Sequence, residues 1–229
     1  PRWFRSNGTF GEDPRFNAQA IGAVVRGFQE EQGVSLNGVA LTTKHFPGGG
    51  ARENGFDPHY AEGRFNVYPT PGSLEKYHLP PFQAAIDAGT SSVMPYYAIP
   101  SAEKSGMPQP PLTEFEPVGF AFNTEVLDLL SSMGHRGYVN SDSGILSKMA
   151  WGVTELSVPE RVGKAVMAGT DIIADTNDVG SIRIAYMQGL FTTERLDDAA
   201  RRLTEEMFAL GLFDNPYVDA ERADQVVAN

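Results

Sequence analysis

The 229-residue chain contains no cysteine. Disulfide staples, thiolate nucleophiles and cysteine-ligated metals are excluded together, and the redox compartment is left open. No apolar run approaches the roughly 18–20 residues that span a bilayer, and no charged-then-apolar leader opens the sequence. Positive charge is in short supply: 18 Lys and Arg stand against 29 Asp and Glu, a formal charge of -11. Clustered cations for phosphate are missing, so nucleic acid and anionic membrane surfaces are excluded as main partners and a neutral substrate is easier to accommodate. The acidity is spread without a block of like charges and speaks to solubility rather than partners. The glycines follow neither GxxxxGK[ST] nor a GxGxxG that opens a helix, and GxSxG is absent, which removes support for a nucleotide cofactor or a serine hydrolase.

With 41% hydrophobic residues and no low-complexity tract, the chain is long enough for a sizeable core, as one large domain or most of one. Strand-like apolar runs occupy residues 38–46 (GVALTTKHF), 91–97 (SSVMPYY), 136–142 and 168–175 (AGTDIIAD). Between them, helical stripes are formed by Ile21, Val24, Val25 and Phe28, by Val126, Leu127, Leu130 and Met133, and by Val158, Val162, Ala165 and Val166. A last helix runs from about Leu196 to Leu210 and closes on Gly211. This rhythm predicts parallel strands with crossover helices, either an open doubly wound sheet or a barrel. Only four such strands are visible where a closed barrel needs eight. The long connections 47–77 and 99–118, rich in glycine or proline, are expected to wall a pocket.

Each strand-like run ends in reactive or polar groups: Lys44 and His45, Tyr96 and Tyr97, Ser141 and Asp142, Asp175. Parallel α/β architectures place their sites at that edge. In "GYVNSDSG" (137–144), Asp142 reads either as the N-cap of a following helix or as a carboxylate nucleophile, and local sequence leaves both open. "KHFPGGG" (44–50) pairs two donor side chains with a glycine turn, which suits a site that grips hydroxyl groups. Arg2, Trp3 and Arg5 read equally as a cation–π cluster or a packed turn. Asp57, His59 and Glu62 are metal-ligand types, but their spacing fits no zinc or calcium pattern, and a solvated loop is the simpler reading.

Taken in order, these pieces resemble glycoside hydrolase family 3. "PRWFRSNGTFGEDP" (1–14) is similar to its arginine–tryptophan motif, "KHFPGGG" to its Lys-His-Phe motif and "VMPYY" to its Val-Met-x-x-Tyr. "GYVNSDSG" resembles the segment that carries its nucleophile, and "LGLFDNPYVD" (210–219) the end of its first domain. The matches span almost the whole chain.

The resemblance implies an α/β fold, a (β/α)8 TIM-barrel-like catalytic domain of which residues 1–213 are the C-terminal larger part, with 214–229 starting a linker towards a following domain. It implies a retaining, exo-acting β-glycosidase, typically a β-glucosidase, that needs no cofactor and no metal and takes a small carbohydrate or β-glycoside. Asp142 matches the nucleophile. Arg5, Lys44 and His45 match residues that hydrogen-bond the terminal sugar, Tyr97 the tyrosine beside the nucleophile, and Met94 stands as a wall residue. Ser143 replaces the tryptophan that many members carry after the nucleophile, a stacking wall that is then absent or supplied by Trp151. The sugar-binding aspartate and the acid/base glutamate of most members are not found here, so further segments of the same protein are expected to complete the site. One internal alternative is Asp57 with His59, which resemble the Asp-x-His acid/base pair of the N-acetylglucosaminidase branch. β-Xylosidase and β-N-acetylglucosaminidase activity remain alternatives within the family, and a silent sugar-binding module outside it. The compartment is open between cytoplasm and periplasm or exterior, for a soluble protein.

Overall fold

Asp13 and Pro14 together start the first helix. The Asp13 carboxylate accepts from the Arg15 amide at 2.9 Å, and Pro14 takes the first helical position, where no amide donor is needed. The helix, α1 (Pro14–Gln29), turns Ile21 and Val25 against α2 (Leu79–Asp87) around Ala85, Ala88 and Leu41. Phe28, counted into the same stripe from its spacing, is 55% exposed. The computed structural model describes residues 3–30 and 33–227; Pro1 and Arg2 of the arginine–tryptophan segment lie outside them.

Three short strands form one parallel sheet in the order β1 (Thr42–Phe46), β3 (Ser92–Pro95), β5 (Tyr138–Val139). Register pairs Lys44 with Met94 and Val93 with Val139. The fourth predicted strand shrinks to one parallel bridge, Asn140 to Ile172. Its extended stretch is cut short because Asp171 turns its carboxylate back to the Val139 amide at 2.8 Å, while Asp175 adopts a left-handed backbone. Helix α2 crosses from β1 to β3, α3 (Thr124–Ser132) from β3 to β5, and α4 (Val158–Ala168) follows β5. Asn123 caps α3 through the Val126 amide, and Ser157 with Glu160 forms a capping box on α4. Three further helices follow: α5 (Val179–Met187), α6 (Thr193–Ala209) and α7 (Ala220–Val226). Gly211 closes α6 with φ 68°, as its position predicts.

Gln29, fully buried, fixes the lower ends of the sheet. Its amide donates to the Gly89 carbonyl at 2.6 Å and accepts from the Leu41 and Ser91 amides at 2.9 and 3.0 Å, so β1 and β3 begin in step. The two long connections are knitted together above the sheet. Residues Phe65–Asn66 (β2) pair in parallel with Ile99–Pro100 (β4), and buried Gln109 donates to the Thr70 and Gly106 carbonyls while accepting from the Leu74 amide. Both are ordered, with Tyr68, Leu74, Leu112 and Phe115 joining the main core; residues of 47–77 wall a groove through Gly48–Gly50, Arg52 and Tyr77, whereas the expectation fails for 99–118, which lines none among the described residues because its apolar residues pack into the core. Among the described residues no helix is long and apolar enough to cross a membrane.

His78 makes this wall acid-sensitive. It stacks its edge on Tyr68, with ring centroids 5.3 Å apart, and burial pushes its pKa down to about 4 from 6.5. Because the folded value lies below the unfolded one, the contribution is whole above pH 6.5 and is lost as pH falls towards 4. The expected loss is about 3 kcal/mol. His45 and His135 are displaced in the same direction, again by burial first. Urea midpoints of the full-length protein should fall between pH 7 and pH 4.5, and His78→Gln should flatten that fall.

Candidate active site

The parallel sheet brings three strand ends to one edge: Lys44 and His45 from β1, Tyr96 and Tyr97 after β3, Ser141 and Asp142 after β5. No helix starts at Asp142; residues 143–149 are turns, and the next helix is capped by Ser157, so the cap reading of Asp142 is ruled out. One Asp142 oxygen accepts from the Ser143 amide at 2.8 Å, and the other lies 3.3 Å from His45 Nε2. Burial opposes the charge on Asp142, but hydrogen bonds from His45, the Ser143 amide and the Tyr97 hydroxyl outweigh it and hold the carboxyl below its usual range. Asp142 is therefore ionised at neutral pH. Buried Ser141 donates to the Asp142 carbonyl at 2.9 Å and accepts from the Ala174 amide at 2.9 Å, which locks the strand end in place.

His45 is 8% exposed, and burial lowers its pKa despite the neighbouring Asp142. The ring is neutral at pH 7, and its approach to a carboxylate assigns the proton to Nε2. It stacks on Tyr96 with centroids 4.2 Å apart. The Lys44–His45 and Phe46–Pro47 peptide bonds are cis.

Asp57 and His59 lie on the same side of the edge. The buried Asp57 carboxylate accepts from the His59 amide at 3.1 Å, pairs with His59 Nδ1 and accepts from the Tyr96 hydroxyl at 3.1 Å. Burial again opposes the charge, and these donors again hold the pKa down. The His59 ring sets its edge against Tyr97, centroids 4.8 Å apart, and Tyr97 in turn bonds Asp142. Trp151 donates to the Pro58 carbonyl at 2.7 Å and so clamps this loop.

A groove of about 970 Å³ opens between the turn Phe4–Gly8, α1, β1 and the Gly48–Gly50 turn. Arg5, Lys44 and His45 all line it, whereas Asp142 and Tyr97 stand outside its lining and meet it through His45. Met94 stands beside Lys44 in register and does not line the groove. Trp3 packs its ring on Gly49: a Cβ there would lie 2.6 Å from Trp3, so the turn needs glycine for close approach. Of the two readings of the arginine–tryptophan segment, the packed turn holds for Trp3, while Arg5 turns away to the Tyr96 hydroxyl at 3.2 Å. Among the described residues, Arg5 and Lys44 have no ion-pair partner, and no group of three His, Asp or Glu side chains is arranged to hold a metal.

Tyr96, placed with Tyr97 at a strand end by the sequence, is fully buried at the centre of the site, and one residue there was not foreseen. Arg52, 7% exposed, lays its guanidinium over the Tyr96 ring at 4.2 Å; an arginine in a glycine-rich turn gives no signal of burial.

Parallel β/α units deliver an ionised aspartate, a Lys-His pair and tyrosines to one sheet edge, the edge at which barrel folds place their active sites. The chain matches the model of the glycosyl hydrolase family 3 N terminal domain over residues 1–205, and it belongs to that family. It is 37% identical over 241 residues to a probable beta-glucosidase C of Aspergillus oryzae, covering 100% of this chain and 36% of that protein. It is 33% identical over 250 residues to a periplasmic beta-glucosidase/beta-xylosidase of Dickeya chrysanthemi, covering 99% and 37%. Among solved structures, a beta-glucosidase involved in saponin metabolism from intestinal bacteria superposes with TM-score 0.81 at 26% identity, covering 100% of this chain and 28% of that one. A beta-glucosidase from Listeria innocua in complex with isofagomine gives 0.80 at 25%, covering 99% and 30%. The fold is that of a TIM-barrel domain, and the chain spans little more than a third of the length of these curated relatives.

Proposed function

We propose that this chain is the nucleophile-bearing part of a retaining, exo-acting β-glycosidase, a β-glucosidase in the first instance. The observation that carries the reading is the state of Asp142: an ionised carboxylate at a strand end, gripped by His45, Tyr97 and the Ser143 amide. A carboxylate held charged in a partly dry site attacks C1 of the terminal sugar as the glycosidic C1–O bond breaks. The leaving oxygen takes a proton from an acid. Water then attacks C1, gives its proton to the conjugate base, and Asp142 leaves as a free carboxylate. Arg5 and Lys44 supply donors to the sugar hydroxyls, His45 offers its unprotonated Nδ1 as an acceptor to one of them, Tyr97 holds the attacking oxygen, and Met94 pairs with Lys44 in the sheet register. The substrate is a small β-glycoside, and residues 214–229, which lead past α6 through exposed α7, are read as a connector to the rest of the protein.

Incubation of the full-length protein with 2-deoxy-2-fluoro-β-glucosyl fluoride, followed by peptide mass spectrometry, should give a fluoroglucosyl adduct on Asp142. An adduct on another carboxylate would overturn the assignment. Sugar binding without any adduct would favour a silent binding module.

The acid/base group is placed outside this chain. A second reading has specific support: the Asp57–His59 pair touches Tyr97, one residue from Asp142. On the first reading, His59→Ala raises KM and leaves kcat for poor leaving groups within about tenfold of the parent. Loss of a general acid would instead cost about 10²–10⁴-fold on those substrates and spare dinitrophenyl glucosides, whose leaving group needs no proton. That second pattern would move the acid role to His59.

A further inference from the structure

We propose that Tyr96 is a positioning residue that aims Arg5 into the sugar groove, and that Asp57 acts on the same subsite through the Tyr96 hydroxyl. This rests on the glycosidase reading and deepens it. Arg5 lines the groove on a long, rotamer-rich side chain, and its one side-chain hydrogen bond among the described residues goes to Tyr96. The direction of each bond is fixed by chemistry. A guanidinium has no lone pair to offer, so the phenol oxygen accepts from Arg5; an ionised carboxylate has no proton, so the phenol donates to Asp57. Arg5, Tyr96 and Asp57 therefore form a relay with a single proton arrangement, and a phenol that donates to a carboxylate is the better acceptor for a cation.

The ring itself cannot turn. His45 is stacked at 4.2 Å and the Arg52 guanidinium carbon lies 4.2 Å from the same centroid, so the two take opposite faces. Arg52 is held by the Gly49 and Gly63 carbonyls and has no ion pair with a carboxylate among the described residues. Burial lowers its pKa only to about 10, so the cation persists at neutral pH. The ring face and the nearby Asp57 charge compensate it. Burial raises the Tyr96 phenol to about 12, which keeps its proton in place across the working range. One buried tyrosine thus couples Arg5, His45 and Asp57, three groups from three separate segments.

The test is a double-mutant cycle in the full-length protein on an aryl β-glucoside, with active sites counted by the fluoroglucosyl burst. Tyr96→Phe keeps the stacked ring and removes the relay; KM should rise about tenfold while kcat per active site changes little. Asp57→Asn, which leaves the tyrosine intact, should raise KM similarly although Asp57 does not touch Arg5. In an Arg5→Lys background, neither change should add a further penalty. A merely structural tyrosine would lower melting temperature and active fraction and leave KM alone. An unchanged KM in Asp57→Asn, or full additivity with Arg5→Lys, overturns the relay even if Tyr96→Phe fails to fold. Should the parent protein turn over no glycoside, the glycosidase reading fails by itself, and the same cycle read as Kd for glucose by calorimetry still decides the relay.

Discussion

Asp142→Asn is expected to reduce turnover of β-glucosides by about 10⁴-fold or more, with the sugar still bound. The amide keeps the shape and the hydrogen bond from one neighbour, but it cannot form the glycosyl ester, and it presents an NH2 group towards donors that serve a carboxylate. Fold and groove should survive, because Asp142 is at a strand end and the locking contacts there belong to Ser141, through the Asp142 carbonyl and the Ala174 amide. A sharper version is Asp142→Ala with added azide. If the lost group is the nucleophile, a small anion can enter from the same side and restore turnover, giving a β-glycosyl donor an α-glycosyl azide product. Recovery with a β-configured azide, or residual activity within tenfold of the parent, would put the nucleophile elsewhere.

Much of the scaffold was legible because it rests on local rules. The α1 stripe through Ile21 and Val25 and the glycine stop at Gly211 are short-range signals, and the structure has both, while Phe28 of that stripe turns to solvent. Helix α2 was missed because Pro80 and Pro81 look like a break, yet the chain enters α2 through a wider helical turn at Leu74–His78 and both prolines sit just past it, in the first turn of α2. The fourth strand was over-read since apolar Ile172 and Ile173 fit a strand, whereas the carboxylate of Asp171 folds back onto β5 and leaves one bridge.

The site divides in the same way. Strand-end residues such as Asp142, Lys44 and His45 could be placed because a parallel sheet sends its carboxyl ends to one edge. For Asp57–His59 only the family resemblance offered a place near Asp142; residue spacing did not, because the link to Tyr97 depends on a loop brought back across the edge by Trp151 and Tyr96. Nor could the sequence reveal that Arg52 is buried, since burial of a cation follows from the partners around it and not from its neighbours in the chain.

His45→Ala should be the next most damaging change, at roughly 10²–10⁴-fold in kcat/KM, because two hydrogen bonds to charged or reacting groups are removed at once. One is the bond donated to Asp142; the other, on the proposed reading, is accepted by the unprotonated Nδ1 from a sugar hydroxyl. The ring also covers one face of Tyr96, so its loss frees the tyrosine that orients Arg5. The two roles separate by pH. In the parent the Asp142 carboxyl titrates below its usual range, so kcat/KM should hold down to mildly acidic pH and fall only as that carboxylate takes a proton. Without His45, Asp142 loses a donor and its pKa rises, so the acid limb should move to higher pH. His45→Gln, which offers an amide donor, should restore most of the acid limb while leaving KM high, because it reaches the carboxylate but lacks the ring. If His45→Ala lowers kcat/KM with no movement of the acid limb, the histidine serves the sugar alone and the charge on Asp142 is kept by Tyr97 and the Ser143 amide.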